Sequence, residues 1–387
     1  MKQVISSENR PIKMWLDDIE ENALLQAKNL ANLPFVHKHV ALMPDAHSGY
    51  GMPIGGVLAT RGVIIPNAVG VDIGCGMCAM RINLKDADTE SLKQIMSRIR
   101  KTIPVGFNWH KEAQDEKCMP QIEALPSVVE RHYEKATKQL GSLGGGNHFI
   151  EIQQGSDGYL WAMIHSGSRN LGKQVADYYN KKAKQLNERW HSAVPASYDL
   201  AFLPVETDDA QAYIKEMNYC VDFAFANRKF MMERMKEAFL EVFRGEVAFD
   251  ALINIAHNYA AWENHFKENV LVHRKGATRA RLGELGIIPG SQGTRSYIVE
   301  GLGNPESFES CSHGAGRVMG RRQAQRELDL KTEIKKLNDK GIIHGIRHQK
   351  DLDEAAGAYK DINTVMANQA DLVKIKVELE PLAVVKG

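Results

Sequence analysis

Residues 69–81 read Val-Gly-Val-Asp-Ile-Gly-Cys-Gly-Met-Cys-Ala-Met-Arg. The preceding residues 57–60 and 63–65 are short apolar runs, typical of buried strands. Asp72 and Cys75 stand on either side of a glycine-containing turn. This stretch predicts a strand-rich core with functional groups at the end of a strand.

Glycine-rich segments with polar neighbours recur along the chain, at residues 44–56, 143–152, 288–294 and 310–317. Glycine allows the backbone to approach a ligand closely, so these segments predict loops around a bound molecule. Residues 144–146 and 290–294 can cradle phosphate through backbone N–H groups, although neither fits the P-loop or the dinucleotide-binding fingerprint.

Two long stretches have a different character. Residues 171–190 and 208–243 show helical spacing of apolar residues, many Lys, Glu and Met, and little glycine. They predict a helical subdomain, about 171–250, inserted into one α+β catalytic domain that spans 1–387. Shorter predicted elements are helices at 23–32 and at 89–101, the second capped by Asp88, and strands at 36–43 and 160–164.

Composition restricts the class of protein. The 387 residues are 43% hydrophobic and 25% charged, as in a globular protein with a substantial core. With 49 Lys+Arg against 48 Asp+Glu the net charge is +1, so contact with nucleic acid requires a local basic cluster. The five scattered cysteines predict reduced thiols. Without an apolar leader or a membrane-length apolar run, we expect a cytoplasmic protein.

One carboxylate, one thiolate and three imidazoles are candidate metal ligands. Besides Asp72 and Cys75, these are His148, His165 and His257, each at the edge of an apolar element beside Asn or Ser. Five ligands are more than one tetrahedral site uses, and a thiolate can bridge two ions. The set therefore suits a two-metal centre that clamps phosphoryl oxygens. Thiolate and imidazole by themselves favour zinc over manganese.

Simpler interpretations stand beside this one. Each histidine taken alone is more often a hydrogen-bonded core or loop residue than a ligand. Cys75 and Cys78 have the spacing of a zinc half-site, but no second Cys-x-x-Cys follows.

His313 lies just before a helix predicted to begin at Gly316. Gly314 and Gly316 leave backbone N–H groups open, and the positive end of a helix dipole attracts phosphate and favours a neutral, nucleophilic imidazole. Arg317 and Arg321, four apart on one face of that helix, can neutralise a phosphoryl group. The alternative makes His313 a cap or loop residue and the arginines a solvated face.

Residues 273–281, the basic segment, read His-Arg-Lys-Gly-Ala-Thr-Arg-Ala-Arg and are the strongest candidate for contact with a phosphate backbone. A simple surface patch is the alternative. Tyr359 can stack on a base and Lys386 can contact a nucleotide, although core packing and solvation are the commoner roles of such residues.

In this order, the segments resemble the RtcB family of RNA ligases along nearly the whole chain. The motifs are Pro-Asp-Ala-His at 44–47, Val-Asp-Ile-Gly-Cys-Gly at 71–76, Gly-Gly-Asn-His-Phe at 145–149, His-Ser-Gly-Ser-Arg at 165–169, His-Asn at 257–258, His-Arg-Lys-Gly-Ala-Thr at 273–278 and His-Gly-Ala-Gly-Arg at 313–317. The resemblance implies the α+β fold particular to that family, a strand-rich core with glycine-rich active-site loops.

The resemblance also implies a role for individual residues. Two manganese ions would be held by Asp72, Cys75, His148, His165 and His257, with Cys75 between them. His313 would attack the α-phosphate of GTP. The implied guanylate and phosphate contacts are Asn147, Glu151, Ser291, Ser296, Arg321, Tyr359 and Lys386, and we add Gly314, Gly316 and Arg317 from the loop around His313.

By this resemblance, His313 takes up GMP with loss of pyrophosphate, the guanylate moves to an RNA 3′-phosphate, and a 5′-hydroxyl displaces GMP. A 2′,3′-cyclic phosphate would first be opened. Gln292 departs from the family pattern, which has methionine there, and Cys78 lies outside the ligand pattern. These departures leave both tRNA splicing and repair of a particular damaged RNA open as the natural role, and the sequence does not show whether a protein activator is needed.

Two other functions use the same residues. A dinuclear metal-dependent phosphoesterase or nuclease would use the same ligands without a nucleotide-accepting histidine. An RNA-binding or metal-storage protein would depend on the basic segment instead.

Overall fold

The computed structural model describes every residue from Met1 to Gly387. Its strands are β1 (Gln3–Ile5), β2 (Ile12–Met14), β3 (Val36–His47), β4 (Ile54–Thr60), β5 (Val63–Ile64), β6 (Gly76–Ile82), β7 (Phe149–Gly155), β8 (Leu160–Ser166), β9 (Leu203–Pro204), β10 (Ile253–Ala256), β11 (Asn258–His265), β12 (Glu268–Lys275), β13 (Ala277–Arg279), β14 (Leu285–Ile288), β15 (Ser296–Gly301), β16 (Ser310–Ser312) and β17 (Val373–Lys386). Its helices are α1 (Glu21–Ala31), α2 (Pro66–Val69), α3 (Thr89–Thr102), α4 (Ser127–Gln139), α5 (Arg169–Arg189), α6 (Asp208–Val242), α7 (Arg321–Glu327), α8 (Leu330–Asp339) and α9 (Ile362–Ala367). The predicted α+β class is confirmed.

Six strands form one large sheet, in the order β1-β2-β3-β4-β12-β11. Alternate residues of a strand face opposite sides of a sheet, and both sides of β3 are apolar. Val40 and Leu42 pack into one core, while Ala41 and Met43 pack into another on the opposite face. Burial on both sides explains why residues 40–43 of β3 are a continuous apolar run.

Seven antiparallel strands form the second sheet, in the order β10-β6-β8-β7-β17-β15-β14. On one face, Met80 and Ile150 pack with apolar residues of α3 and α6, such as Ile95 and Met231. On the other face, Met77 and Met163 form a smaller core. The two long helices predicted near 171–190 and 208–243 are confirmed as α5 and α6, and α6 covers part of this sheet.

The start of α3 agrees with the helix cap predicted from the sequence. α3 begins after Asp88, whose side chain accepts a hydrogen bond from Ser91 N at 2.7 Å, as a helix cap does. None of the nine helices combines the length and the apolar character that crossing a bilayer requires.

The pairing of β10, β6, β8 and β7 brings four chain segments to one edge of the seven-stranded sheet. Gly76 at the start of β6 pairs with Ser166 at the end of β8 and with Ala256 at the end of β10. Phe149 at the start of β7 pairs with His165. Residues that begin or follow these strands therefore lie close together, although they are far apart in sequence.

Candidate active site

All five predicted metal ligands come together at that edge of the sheet. Cys75 Sγ lies 3.5 Å from His148 Nε2 and 3.3 Å from His165 Nε2. On one side, His148 Nε2 lies 3.1 Å from Asp72 Oδ2, and on the other, His165 Nε2 lies 3.4 Å from His257 Nε2. Ligand atoms around a shared ion are separated by roughly this distance, since each lies about 2.0–2.3 Å from the metal. Cys75 occupies the middle of the cluster.

Hydrogen bonds between two segments fix the ligands in place. His257 N donates to Cys75 O at 2.8 Å, and Gly74 N donates to Asn258 O at 2.8 Å. The Asn258 side chain donates to Asp72 O at 3.0 Å. Asn258, which the sequence singled out only as part of a motif, therefore holds the turn that carries Asp72 and Cys75.

The chemistry of the donor atoms fits a metal ion. His165 Nδ1 donates to Asn147 O at 3.0 Å, so its Nε2 presents a lone pair to the cluster. Burial lowers the pKa of both His165 and His257 well below the usual value, and neutral imidazole is the form that binds a metal. Burial also raises the pKa of the Cys75 thiol, which therefore needs a nearby cation to ionise.

The prediction that His313 faces a helix N-terminus is wrong. His313 follows β16, and α7 begins only at Arg321. The chain cannot be helical at Gly316, where φ is +74°, and a Cβ at this position would meet Asp45 O at 2.3 Å. The backbone turns here to pass close to β3, so His313 is not at the N-terminus of α7.

A buried carboxylate holds His313 instead. Asp45 Oδ2 accepts hydrogen bonds from His313 Nδ1 at 2.6 Å, from His313 N at 3.0 Å and from Gly314 N at 3.3 Å. A proton held on Nδ1 leaves Nε2 as the free, nucleophilic nitrogen. The His313 ring lies 4.8 Å from the His257 ring, centroid to centroid, so the histidine adjoins the metal ligands.

No individual role was predicted for Asp45 from the sequence. The signal in the sequence is its place in the Pro-Asp-Ala-His motif at 44–47, but nothing local connects Asp45 to a histidine 268 positions later.

One cavity of about 1150 Å³ is lined by the metal ligands, by His313 and by most of the predicted nucleotide-binding residues. The predicted residues that line it are Asn147, Glu151, Ser291, Gly314, Gly316, Arg317, Arg321, Tyr359 and Lys386. Ser296 does not line it. Its Oγ accepts from Gly290 N at 3.2 Å and from Gln153 Nε2 at 3.2 Å, so Ser296 supports the cavity wall from behind.

A carboxylate and an ammonium group lie at one end of the cavity. Burial raises the pKa of Glu151 to about 7, and Gln153 Nε2 donates to its carboxylate at 2.7 Å. Lys386 is on the neighbouring strand β17, and its charge partly offsets the effect of burial on Glu151.

Arg317 and Arg321 meet at Glu354, not on one helix face. The Glu354 carboxylate accepts from Arg317 Nη1 at 2.6 Å and from Arg321 Nε at 2.6 Å, and it also bonds the Tyr359 hydroxyl. Burial opposes ionisation of Glu354, but the charges of Lys386 and the two arginines lower its pKa. Glu354 was missed because it is one acid among several in an acidic segment.

The basic segment is not an exposed basic surface. Arg274 is buried and donates to the buried Glu263 carboxylate at 2.5 Å and 3.0 Å. Lys275 is also buried, and its Nζ donates to two backbone carbonyls, at 2.6 Å and 3.0 Å. Arg279 and Arg281 pair with acidic side chains. The segment therefore supports the fold, and Arg274 and Lys275 are not free for the predicted contact with a phosphate backbone.

Comparison with known proteins identifies close relatives of the whole chain. The family described as "tRNA-splicing ligase RtcB" matches residues 26–387. An RNA-splicing ligase RtcB1 of Escherichia coli is 40% identical over 100% of this chain and 99% of its own length. The RNA-splicing ligase RtcB of Escherichia coli strain K12 is 39% identical with the same coverage. The tRNA-splicing ligase RtcB of Thermococcus kodakarensis is 31% identical over 95% of this chain and 92% of its own.

Proposed function

This chain belongs to the RtcB family and is an RNA ligase, and we propose that it joins an RNA 3′-phosphate or 2′,3′-cyclic phosphate to a 5′-hydroxyl through a histidine–GMP intermediate. One observation carries the proposal: His313, held by a buried carboxylate, shares a cavity with three imidazoles, a thiol and a carboxylate. A phosphoesterase would need the metal ligands but not a fixed, nucleophilic histidine.

The proposed metal is a pair of Mn²⁺ ions held by Asp72, Cys75, His148, His165 and His257. The short distances among these donor atoms and the central place of Cys75 support this. Bound ions would stabilise negative charge on phosphoryl oxygens. Manganese is proposed from the resemblance of the motifs, and zinc is the other metal that suits these donors. Metal analysis of the purified protein distinguishes the two.

His313 supplies the nucleophile in the proposed first step. Its Nε2 forms a bond to the α-phosphorus of GTP while the bond from that phosphorus to the bridging oxygen breaks and pyrophosphate leaves. The imidazole gains positive charge as the new bond forms. Asp45, fixed at Nδ1, stabilises that charge and keeps the ring in the reactive tautomer.

Glu151 and Lys386 support guanine as the base. Guanine presents two adjacent donors, N1–H and the 2-amino group, next to the acceptor O6. The Glu151 carboxylate can accept from the two donors, and the Lys386 ammonium group can donate to O6. Adenine does not match this arrangement, since it offers an acceptor at N1 and a donor at its 6-amino group. The proposal places the other nucleotide contacts on Asn147, Ser291, Gly314, Gly316, Arg317, Arg321 and Tyr359, with Ser296 behind them.

Mass spectrometry after incubation with GTP and Mn²⁺ tests the proposal. We expect one acid-labile GMP on His313, no adduct with ATP, and no adduct on His313→Ala. Joining of RNAs that carry 2′,3′-cyclic phosphate and 5′-hydroxyl ends should require the same histidine. Phosphate-ester cleavage by wild type without any adduct would instead favour the dinuclear phosphoesterase.

The proposal includes a cytoplasmic enzyme with one catalytic domain, residues 1–387, and a helical insertion at about 171–250. A protease-resistant core that keeps α5 and α6 together with the seven-stranded sheet would support the single domain.

A further inference from the structure

Two aromatic side chains at the mouth of the active-site cavity are exposed to solvent. Phe107 is 100% exposed and Tyr50 is 75% exposed, and both line the cavity. A single exposed apolar residue on a protein surface needs no explanation. Two that line one cavity are different, because a molecule bound in the cavity can contact both.

The turn that carries Phe107 is fixed to the loop before a metal ligand. Gly106 N donates to Gly144 O at 2.8 Å, and Leu143 N donates to Pro104 O at 2.9 Å. From the other side, Arg169 Nη2 donates to Gly106 O at 3.1 Å. The Phe107 backbone is therefore held in place while its ring is fully exposed, so the ring gains no free energy of burial in the free protein and can gain it by contact with a ligand.

The turn that carries Tyr50 is fixed in the same manner, beside Asp45. Buried Lys275 donates from Nζ to Tyr50 O at 2.6 Å. Gln26 bonds Gly49 through both of its side-chain polar atoms, at 2.6 Å and 3.1 Å. Each aromatic residue thus lies on a fixed loop that adjoins a segment of the site, Phe107 beside the loop that precedes His148 and Tyr50 in the loop that follows β3, the strand of Asp45.

The overall charge and the basic segment give a polyanion little attraction. The net charge is +1, and the basic segment is buried or paired with acids. Contacts other than ion pairs would therefore add to the affinity for RNA. Aromatic rings stack on any nucleobase, which suits an enzyme whose substrate ends differ in sequence.

We propose that Phe107 and Tyr50 are stacking platforms for unpaired bases next to the RNA ends, an inference that rests on the proposed ligase reaction. When the terminal phosphate occupies the cluster of metal ligands, the adjoining bases lie at the cavity mouth, where these two rings are. The partner is thus RNA with a few unpaired nucleotides at its ends, held by π-stacking and not by base-specific hydrogen bonds.

The test is binding of a single-stranded RNA 3′-phosphate in which 2-aminopurine replaces one terminal base at a time, without GTP. Stacking quenches this fluorophore, so we expect quenching at one or two positions with wild-type protein. Phe107→Leu and Tyr50→Leu should each remove quenching at one position and weaken binding about 5- to 160-fold, the equivalent of about 1–3 kcal/mol per stacked base. Phe107→Tyr and Tyr50→Phe, which keep an aromatic ring, should show the quenching and the RNA affinity of the wild type.

Trp262, on β11, is the matched control, because it is 51% exposed but does not line the cavity. Trp262→Leu should bind RNA as wild type does. Wild-type affinity and unchanged quenching in both Leu variants would overturn the proposal. A Leu variant that changes only the oligomeric state, measured by light scattering, would also overturn it. The rings would then form an interface between copies of the chain. The binding assay uses no GTP, so failure of guanylate formation would refute the proposed function without deciding this one.

Discussion

Asp45 fixes the tautomer of His313, because one of its carboxylate oxygens accepts hydrogen bonds from the ring Nδ1 and from two backbone N–H groups. Asp45→Asn would keep the shape but offer an amide in place of the negative charge. We expect the rate of GMP transfer to fall on the order of 10²- to 10⁴-fold, as when an orienting carboxylate is lost beside a histidine. Single-turnover mass spectrometry measures the rate, and an unchanged GMP affinity would show that binding is intact.

Glu151 should make nucleotide binding depend on pH. Burial raises its pKa to about 7, and the ionised carboxylate is the form that accepts from guanine. GMP affinity should therefore rise as the pH increases through about 7, by roughly tenfold between pH 6 and pH 8, and then level off. Calorimetric titration at several pH values measures it. Glu151→Gln should bind GMP weakly with no such step, and a wild-type profile that is flat would contradict the assigned role.

At the same scale, the residues that the sequence identified share a local signal. Cys75 and His313 each adjoin glycine and His148 lies two residues after one, and a reactive side chain near glycine stands out in a sequence. Asp45 and Glu354 have no glycine neighbour, and their partners His313 and Arg317 come from other segments of the chain. The positions of the ligands were accessible from the sequence, but the groups that hold them were not.

Gly76 shows how closely the strands around the site are packed. A Cβ at this position would lie 1.9 Å from Ile255 O on β10, which leads directly to His257. Gly76→Ala should force β6 and β10 apart, lower the free energy of unfolding by about 1–3 kcal/mol and weaken Mn²⁺ binding. Urea denaturation and metal titration measure the two effects.

Gly345 provides the control for this substitution. A Cβ there meets nothing within 4 Å, so Gly345→Ala should leave Mn²⁺ affinity at the wild-type value. Equal metal affinity in both alanine variants would show that the spacing of β6 and β10 does not set the ligand geometry.

Elements with a strong local pattern were predicted to within a few residues. α1, α3, α5 and α6 follow from helical spacing and caps. The helix expected from Gly316 to Leu328 begins only at Arg321, because contact with Asp45 determines the backbone at Gly316. β17 was not predicted as a strand, since strands of this kind are defined by pairing with distant partners, here β7 and β15.

For the whole molecule, the buried ion pair of Arg274 and Glu263 makes a major electrostatic contribution to the stability of the fold. Burial opposes ionisation of Glu263, but Arg274 and His265 lower its pKa well below the usual value. The stability it supplies is therefore complete above the pKa of the unfolded chain, about 4.3, and is lost as the pH falls below that value. Arg274→Met should cost about 3–5 kcal/mol at pH 7, because it leaves a buried charge alone.

Adding Glu263→Leu to Arg274→Met should recover much of that loss, since neither charge then remains buried. Arg61 pairs with Glu268 at the surface, and Arg61→Met is the control that should stay near wild type. Denaturant titrations at pH 7 and pH 4 provide the comparison. A single Arg274→Met variant as stable as wild type would mean that Glu263 is protonated in the folded protein.

The position of β17 in the middle of the seven-stranded sheet, between β7 and β15, has a consequence for biosynthesis. While the ribosome is still making residues 373–386, β7 and β15 each have an open edge that can pair with other nascent chains. Chaperones that cover such edges should raise the yield of this protein. The wall of the nucleotide cavity that carries Lys386 is completed only after residues 373–386 have been translated.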